Sequence, residues 1–280
     1  MSRGSNVSRP RHDGSWHALG GRHDADEGHG MELTATASTI ATVPGITFRS
    51  DMTVELIKHA ASDADVIWAA RVSTKGEQSL DDVNADPERS AGLINFLMRD
   101  RHGTPFEHSS MTFYVHAPIF VFREFMRHRT FSYNEESGRY RKLDPVFYVP
   151  GPDRKLVQTG KPGAYVFEEG TPGQHELVTE SVQASCRRSY DTYLEMLEAG
   201  VAREVARTVL PVGLYSSMYA TCNARALMNF LSLRIRHPDS AYPSFPQREI
   251  EMVAEQMEHL WAQLMPLTHA AFERNGRVCP

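Results

Sequence analysis

The chain has 280 residues, 41% of them hydrophobic and 23% charged, which is enough for one large globular domain with a substantial core. A net charge of −5 excludes a nucleic-acid binder that works through bulk positive charge, so the basic clusters are expected to serve a small anionic ligand. Cys186, Cys222 and Cys279 lack paired spacing, and no apolar run reaches bilayer-spanning length or resembles a signal peptide; a cytoplasmic protein with no disulfide framework, zinc ribbon or membrane attachment is expected.

Residues 1–44 read as a flexible tail rich in Gly, His, Ser and charge, ahead of a folded domain over 45–280. His12, His17, His23 and His29 are irregularly spaced there, and no dedicated metal site is expected of them. A short strand is expected at 46–49. The pattern Val54, Ile57, Ala60, Ala61 and Ala64, reaching Trp68 and Ala69, reads as helical with a break near Ser62, and Ser73 and Thr74 follow in a polar connection. Asp86-Pro87-Glu88 has the form of a helix start, and Leu93, Phe96 and Leu97 carry that helix towards Arg101. Gly103 and Pro105 break it, and 106–108 opens a short turn.

Met111, Phe113 and Val115 alternate with Thr112, Tyr114 and His116, as in a strand. A helix is expected over 119–128, with Arg123 and Arg127 on one flank and Glu124 and His128 on another. Residues 146–149 read as a strand, and 150–174 as a Pro/Gly-rich connection. A long amphipathic helix follows over 175–198, burying Val182, Tyr190, Tyr193, Leu194 and Leu197 and ending at Gly200. Next come a short helix at 202–209, a strand at 214–222, a helix capped by Asn223 that runs to about Arg236, a linker with three prolines, and a last helix at 248–264. Helices and a few strands in no strict βαβ order give an α+β expectation: a helix-rich domain with a small mixed or antiparallel sheet.

The densest chemistry lies at 127–140, RHRTFSYNEESGRY, where Phe131 is the one obvious core candidate. Arg127, Arg129 and Arg139 supply planar forks suited to phosphate oxygens or a base edge, interleaved with Ser132, Asn134, Ser137 and Tyr140. A solvated, salt-bridged helix end is the bland alternative. On the helix after Asn223, Ala226, Leu227, Phe230, Leu231 and Leu233 share one face at about 100° per residue, and Arg234 projects into it. Arg234 either snorkels at the helix end or reaches a pocket beneath it. Arg225 and Asn229 lie four apart on the opposite side, and Arg207 sits among apolar residues. His102, His108, His116 and His128 lack an H-E-x-x-H pattern and read as structural, so no metal is expected. No G-x-S-x-G elbow or reactive cysteine context is present, and Ser137 reads as a ligand-orienting hydroxyl more economically than as a nucleophile.

RHRTFSYNEESGRY resembles the R-H-R-x-x-S-x-N-E-x-S-x-R-Y signature of the flavin-dependent thymidylate synthases at every fixed position. The likeness extends through AARVST at Ala69, HGTPFEH at His102, REVARTVLP at Arg203 and NARALMNFLSLR at Asn223. The resemblance implies a homotetramer with FAD. Its reaction would convert dUMP to dTMP, using 5,10-methylenetetrahydrofolate for carbon and NADPH for electrons, with no enzyme nucleophile on the base. By matching positions it implies that Ser73, Thr104, Glu107, Arg127, His128, Arg129, Asn223, Arg225, Asn229 and His237 hold the flavin. It assigns Glu124, Glu135, Ser137, Gly138, Arg139, Arg207 and Arg234 to dUMP, with Arg234, Ser137, Arg139 and His102 at the reacting centre. Glu124 stands where some members carry Gln, and 235–250 departs from the family pattern, which is expected to reshape the nicotinamide or folate entrance. Another flavin- or nucleotide-using transferase, or a non-catalytic nucleotide- or RNA-binding regulator, are the competing readings; a yellow protein that releases the C5 hydrogen of dUMP separates them from the first.

Overall fold

The computed structural model describes residues 40–43, 45–76 and 87–280, all within one compact unit that runs from Ala37 to Pro280. The tail histidines and Asp86 lie outside the described residues. An antiparallel four-stranded sheet is built from β3 (Thr53–Ala60), β4 (Ser110–Pro118), β9 (Tyr215–Cys222) and β5 (Ser132–Glu135), in that order. A second sheet sets β1 (Ile40–Val43) antiparallel to β2 (Ile46–Arg49), which pairs in parallel with β6 (Val146–Tyr148). A hairpin of β7 (Val157–Lys161) and β8 (Ala164–Glu168) stands apart from both. The helices are α1 (Asp63–Lys75), α2 (Pro87–Arg99), α3 (Ile119–Phe125), α4 (Pro172–Glu198), α5 (Arg203–Ala206), α6 (Ala224–Arg234), α7 (Arg248–Leu264) and α8 (Pro266–Arg274). No helix among the described residues is long and apolar enough to cross a membrane. The α+β class expected from the sequence is the class observed.

Met111, Phe113 and Val115 of β4 are fully buried, as their alternation requires, and together with α6 and α7 they form the larger core cluster. Tyr190 and Tyr193 of α4 pack on β2 and β6 in a second cluster. Within α6, Asn223 accepts a hydrogen bond from the Ala226 amide at 2.8 Å and so caps the helix start. Ala226, Leu227, Phe230 and Leu231 are buried as expected, whereas Leu233 is 53% exposed. The helix stops at Arg234 because Ile235 turns extended.

Four local expectations are corrected. Residues 53–60 form an edge strand paired with β4, not the start of a helix; the break at Ser62 is the cap of α1, closed by Asp65. Spacing of Val54, Leu56 and Ile57 satisfies either period, and pairing with β4 decides between them. Ser73 and Thr74 lie in the last turn of α1 instead of a connection. The segment 150–174 contains the β7–β8 hairpin and the first turn of α4. Finally, the helix from Ile119 ends at Phe125, three residues early. Tyr133 Oη lies 2.7 Å from the Phe125 carbonyl and 2.9 Å from that of His128, taking acceptors that a continuing helix would use. A helix that the periodicity did not reveal, α8, follows α7 directly; the carboxylate of Asp63 accepts its Leu267 and Thr268 amides at 2.9 Å.

Candidate active site

The turn after α3 is locked by aromatic packing. Phe125 stacks on Phe230 of α6 at 4.8 Å, and Phe131 stacks on Tyr133 at 5.9 Å. Truncating Phe230 would cost about 3–5 kcal/mol and loosen both elements. This packing buries His128 to 5% exposure and brings it against Arg234. Arg234 Nε donates to His128 Nε2 at 3.0 Å, while Nη1 pairs with the Glu124 carboxylate. Burial and then the adjacent guanidinium push the His128 pKa down to about 4. His128 is therefore a neutral acceptor at pH 7, with its proton on Nδ1. The shared flank of Glu124 and His128 serves to hold Arg234, whose Nη2 also donates to the Glu124 carbonyl at 3.4 Å, and Arg234 lines a cleft of about 520 Å³.

A second cleft, of about 300 Å³, is lined by Glu135, Gly138, Arg207 and Ser216. Glu135 belongs to β5, whose pairing with β9 brings Ser216 close enough to donate to it at 3.0 Å. Burial raises the Glu135 pKa above the ordinary carboxylate value, against the pull of Ser216 and Arg207. Gly138 is a cradle: an added Cβ would lie 2.8 Å from Leu143 and 3.2 Å from Arg207. Ser137 and Arg139 sit beside this cleft without lining it; Ser137 Oγ accepts the Arg139 amide at 3.3 Å, and Arg139 Nε donates to Glu204 at 2.9 Å. The set suits a phosphorylated sugar, with cations for the phosphate and a carboxyl for a hydroxyl or ring N–H.

A third cleft, about 460 Å³, gathers Ser73, His102, Gly103, Thr104 and Arg225 between α1, the 3₁₀ turn Thr104–Glu107 and α6. Arg225 also lines a smaller cleft with Glu107, Asn223 and Asn229, where it pairs with Glu107 and donates to the Pro280 carbonyl at 2.8 Å. A Cβ on buried Gly103 would lie 2.5 Å from the Arg225 guanidinium, so any side chain there would push that group aside from its present partners. Hydroxyls, amides and a guanidinium around a glycine-floored opening fit a flavin dinucleotide with its pyrophosphate and polar ring edge. Arg127 and Arg129 are exposed and their side chains have no hydrogen-bond or ion-pair partner among the described residues, and neither lines these clefts; His237 accepts the Asp239 amide at 3.3 Å and lines none of them.

Sequence reasoning missed Ser216, whose role depends on β9 register, and the group Tyr148, Arg154 and Glu249. Glu249 Oε1 accepts from Tyr148 at 2.7 Å and Arg154 at 2.8 Å. A carboxylate–histidine cluster, Glu258, His269 and Glu273, is explained by a cation already present: Arg277 lies 2.7 Å from Glu258, and His269 Nε2 lies 2.9 Å from it. Burial pushes the thiols of Cys186, to about 11, and of Cys222 and Cys279 upwards, leaving no thiolate nucleophile among them.

The chain matches the family described as thymidylate synthase complementing protein over residues 55–267. It is 71% identical to the flavin-dependent thymidylate synthase of Streptomyces avermitilis over 234 residues, covering 83% of this chain and 95% of that protein. The enzyme of the same description from Tropheryma whipplei strain TW08/27 is 60% identical over 234 residues, covering 83% and 97%. Among solved structures, the UMP/dUMP methylase PolB from Streptomyces cacaoi bound with 5-Br dUMP superposes with a TM-score of 0.79 at 57% identity, over 84% of this chain and all of that one. Its complex with 5-Br UMP gives 0.78 at 55% identity, over 85% and 100%.

Proposed function

The chain belongs to the flavin-dependent thymidylate synthase family, and on that premise we propose a site built from the clefts described above. The protein is an FAD-dependent methyltransferase that converts dUMP to dTMP, with 5,10-methylenetetrahydrofolate and NADPH as co-substrates. The similarity to synthases along nearly their whole length carries the reading, and the donor sets agree with it. Ser73, Thr104, Glu107, Asn223, Arg225 and Asn229 would hold the flavin, with His102 at the edge of its cleft. Once bound, the flavin would supply the redox chemistry that links the nicotinamide reductant to the pyrimidine.

The chain's own groups then bind, orient and stabilise charge. Arg207, with Arg139 swung from Glu204, neutralises the dUMP phosphate, and Ser137 orients it. Glu135, with its raised pKa, shares a proton with a sugar hydroxyl or ring N–H. Arg234 polarises a uracil carbonyl and stabilises the negative charge that develops as hydride arrives; Glu124 and His128 fix its plane. These groups occupy separate clefts of one chain, and Arg127 and Arg129 are unpartnered. Both facts support an assembly in which neighbouring copies complete each site, which the family resemblance makes a homotetramer; the net charge of −5 speaks against a nucleic-acid partner, and a cytoplasmic location goes with this reading.

Purified protein is expected to be yellow and to form dTMP from dUMP with release of the C5 hydrogen. The assay includes UMP, because the similar methylase is described as acting on both nucleotides. Colourless protein that methylates neither would overturn the reading.

A further inference from the structure

The cleft of about 520 Å³ that Glu124 and Arg234 line extends well beyond these two residues. It is lined further by the segment 151–155, by Tyr165 and Phe167 of β8, by Phe245 and Pro246 at the end of the proline-rich linker, and by the start of α7. Two aromatic rings line this cleft and stay partly in water: Phe167 and Phe245 are 37% and 48% exposed. Each carries a guanidinium, Arg154 at 5.4 Å over Phe167 and Arg236 at 5.7 Å over Phe245. Rings left in water and flanked by cations contribute little to the core; they make stacking platforms for a planar, electron-rich ligand. The cations of the cleft are unequally used. Arg154, Arg234 and Arg248 are paired with carboxylates, whereas Lys155 and the Arg236 side chain have no carboxylate partner among the described residues.

We propose that this cleft binds an anionic co-substrate with a planar ring, stacked on Phe167 and Phe245 and paired with Lys155 and Arg236. The proposal rests on the synthase reading, which requires two ligands of this chemistry: a phosphate-bearing nicotinamide nucleotide and a carboxylate-bearing folate. The volume fits one such molecule and not a polymer. The donors assigned to the dUMP phosphate and to the flavin line other clefts, and Arg234, which lines this one, would set the co-substrate beside the pyrimidine it polarises.

The test uses flavin-loaded full-length protein and two variants, the double K155E/R236E and Phe245→Ala. The mutated groups are exposed, so flavin content and melting temperature report any general damage. Reversing two unpaired cations is expected to raise the KM of one co-substrate by about tenfold or more, with kcat and the KM for dUMP within about twofold. If anaerobic flavin reduction by NADPH needs correspondingly more NADPH, the occupant is the nicotinamide nucleotide. If that step is unchanged and the dependence on methylenetetrahydrofolate shifts, the occupant is the folate. Unchanged KM for both co-substrates in both variants overturns the proposal, and so does a fall in kcat alone. Equilibrium dialysis of wild type and variants with NADP⁺ and with tetrahydrofolate reads binding without turnover. A wild type that binds either probe through these residues but forms no dTMP would sink the synthase reading and leave the cleft assignment standing.

Discussion

Acidification from pH 7.5 to 5 is expected to destabilise the fold through one buried imidazole. His128 accepts from Arg234 Nε at 3.0 Å, and burial followed by that positive charge holds its pKa at about 4, against an ordinary value of 6.5. Below pH 6.5 the unfolded chain takes up a proton that the folded chain refuses until about pH 4. The unfolded state therefore binds more protons in that window, and stability falls with pH. Stability from this group is complete above pH 6.5 and drains as pH drops towards 4. At about 1.4 kcal/mol per pH unit, the loss is roughly 2 kcal/mol at pH 5 and roughly 3 kcal/mol when complete. Urea unfolding at fixed flavin and protein concentration, between pH 7.5 and 5, measures it. His128→Gln keeps an acceptor near Arg234 without titrating, and carboxylates and His116 contribute equally to both proteins. The variant's stability should therefore fall less steeply, by the stated amount. Parallel pH profiles for the two proteins would refute the account of His128 as a buried neutral acceptor.

Three further outcomes follow from the same geometry. Arg234→Ala should lower turnover by about 10²–10³-fold while the protein stays yellow, and Arg234→Lys should not restore it, because the fork that engages His128 and Glu124 together is gone; near-normal turnover in a dTMP assay would remove Arg234 from the site. Gly103→Ala should push the Arg225 guanidinium off Glu107 and weaken flavin retention by about tenfold at near-native thermal stability; unchanged flavin occupancy on dilution would contradict it. Although burial alone would raise its pKa, hydrogen bonds from His269 and Arg277 hold Glu258 at about 2, so Glu258→Gln should cost roughly 2–3 kcal/mol in urea unfolding at pH 7. The wild-type contribution is present above the unfolded value of 4.5 and lost as pH falls towards 2, so the two proteins should converge in acid; a constant gap down to pH 2.5 would count against the pairing.

Legibility along the chain follows the range of the interactions. The alternation at 111–116, the Asn223 cap, Gly200 with its φ of +81° and the helix at 248–264 are local signals, and each appears where the sequence places it. The β7–β8 hairpin, in the segment read as a Pro/Gly-rich connection, turns at Pro162-Gly163 with Gly163 at φ +82°. Residues 54–60 are different in kind, because their spacing suits helix or strand until β4 pairs with them. The helix α8 begins where Asp63, some two hundred positions away, caps its first amides.

The stretch from Arg127 to Tyr140 and the helix after Asn223 were enough to name the chemistry, because residue type and short spacing encode which donors are available. Sequence alone also identified Arg234 as misplaced on an apolar face. Only the tertiary structure decided why it is tolerated there: Glu124 and His128, more than a hundred residues earlier, meet its guanidinium where α3 and α6 pack through Phe125 and Phe230. It likewise decided that the predicted ligands fall into separate clefts, and that the hairpin and the proline-rich linker enclose another. Periodicity reports which face of an element is apolar; which element covers that face, and which side chains then meet, depends on packing between segments distant in the chain.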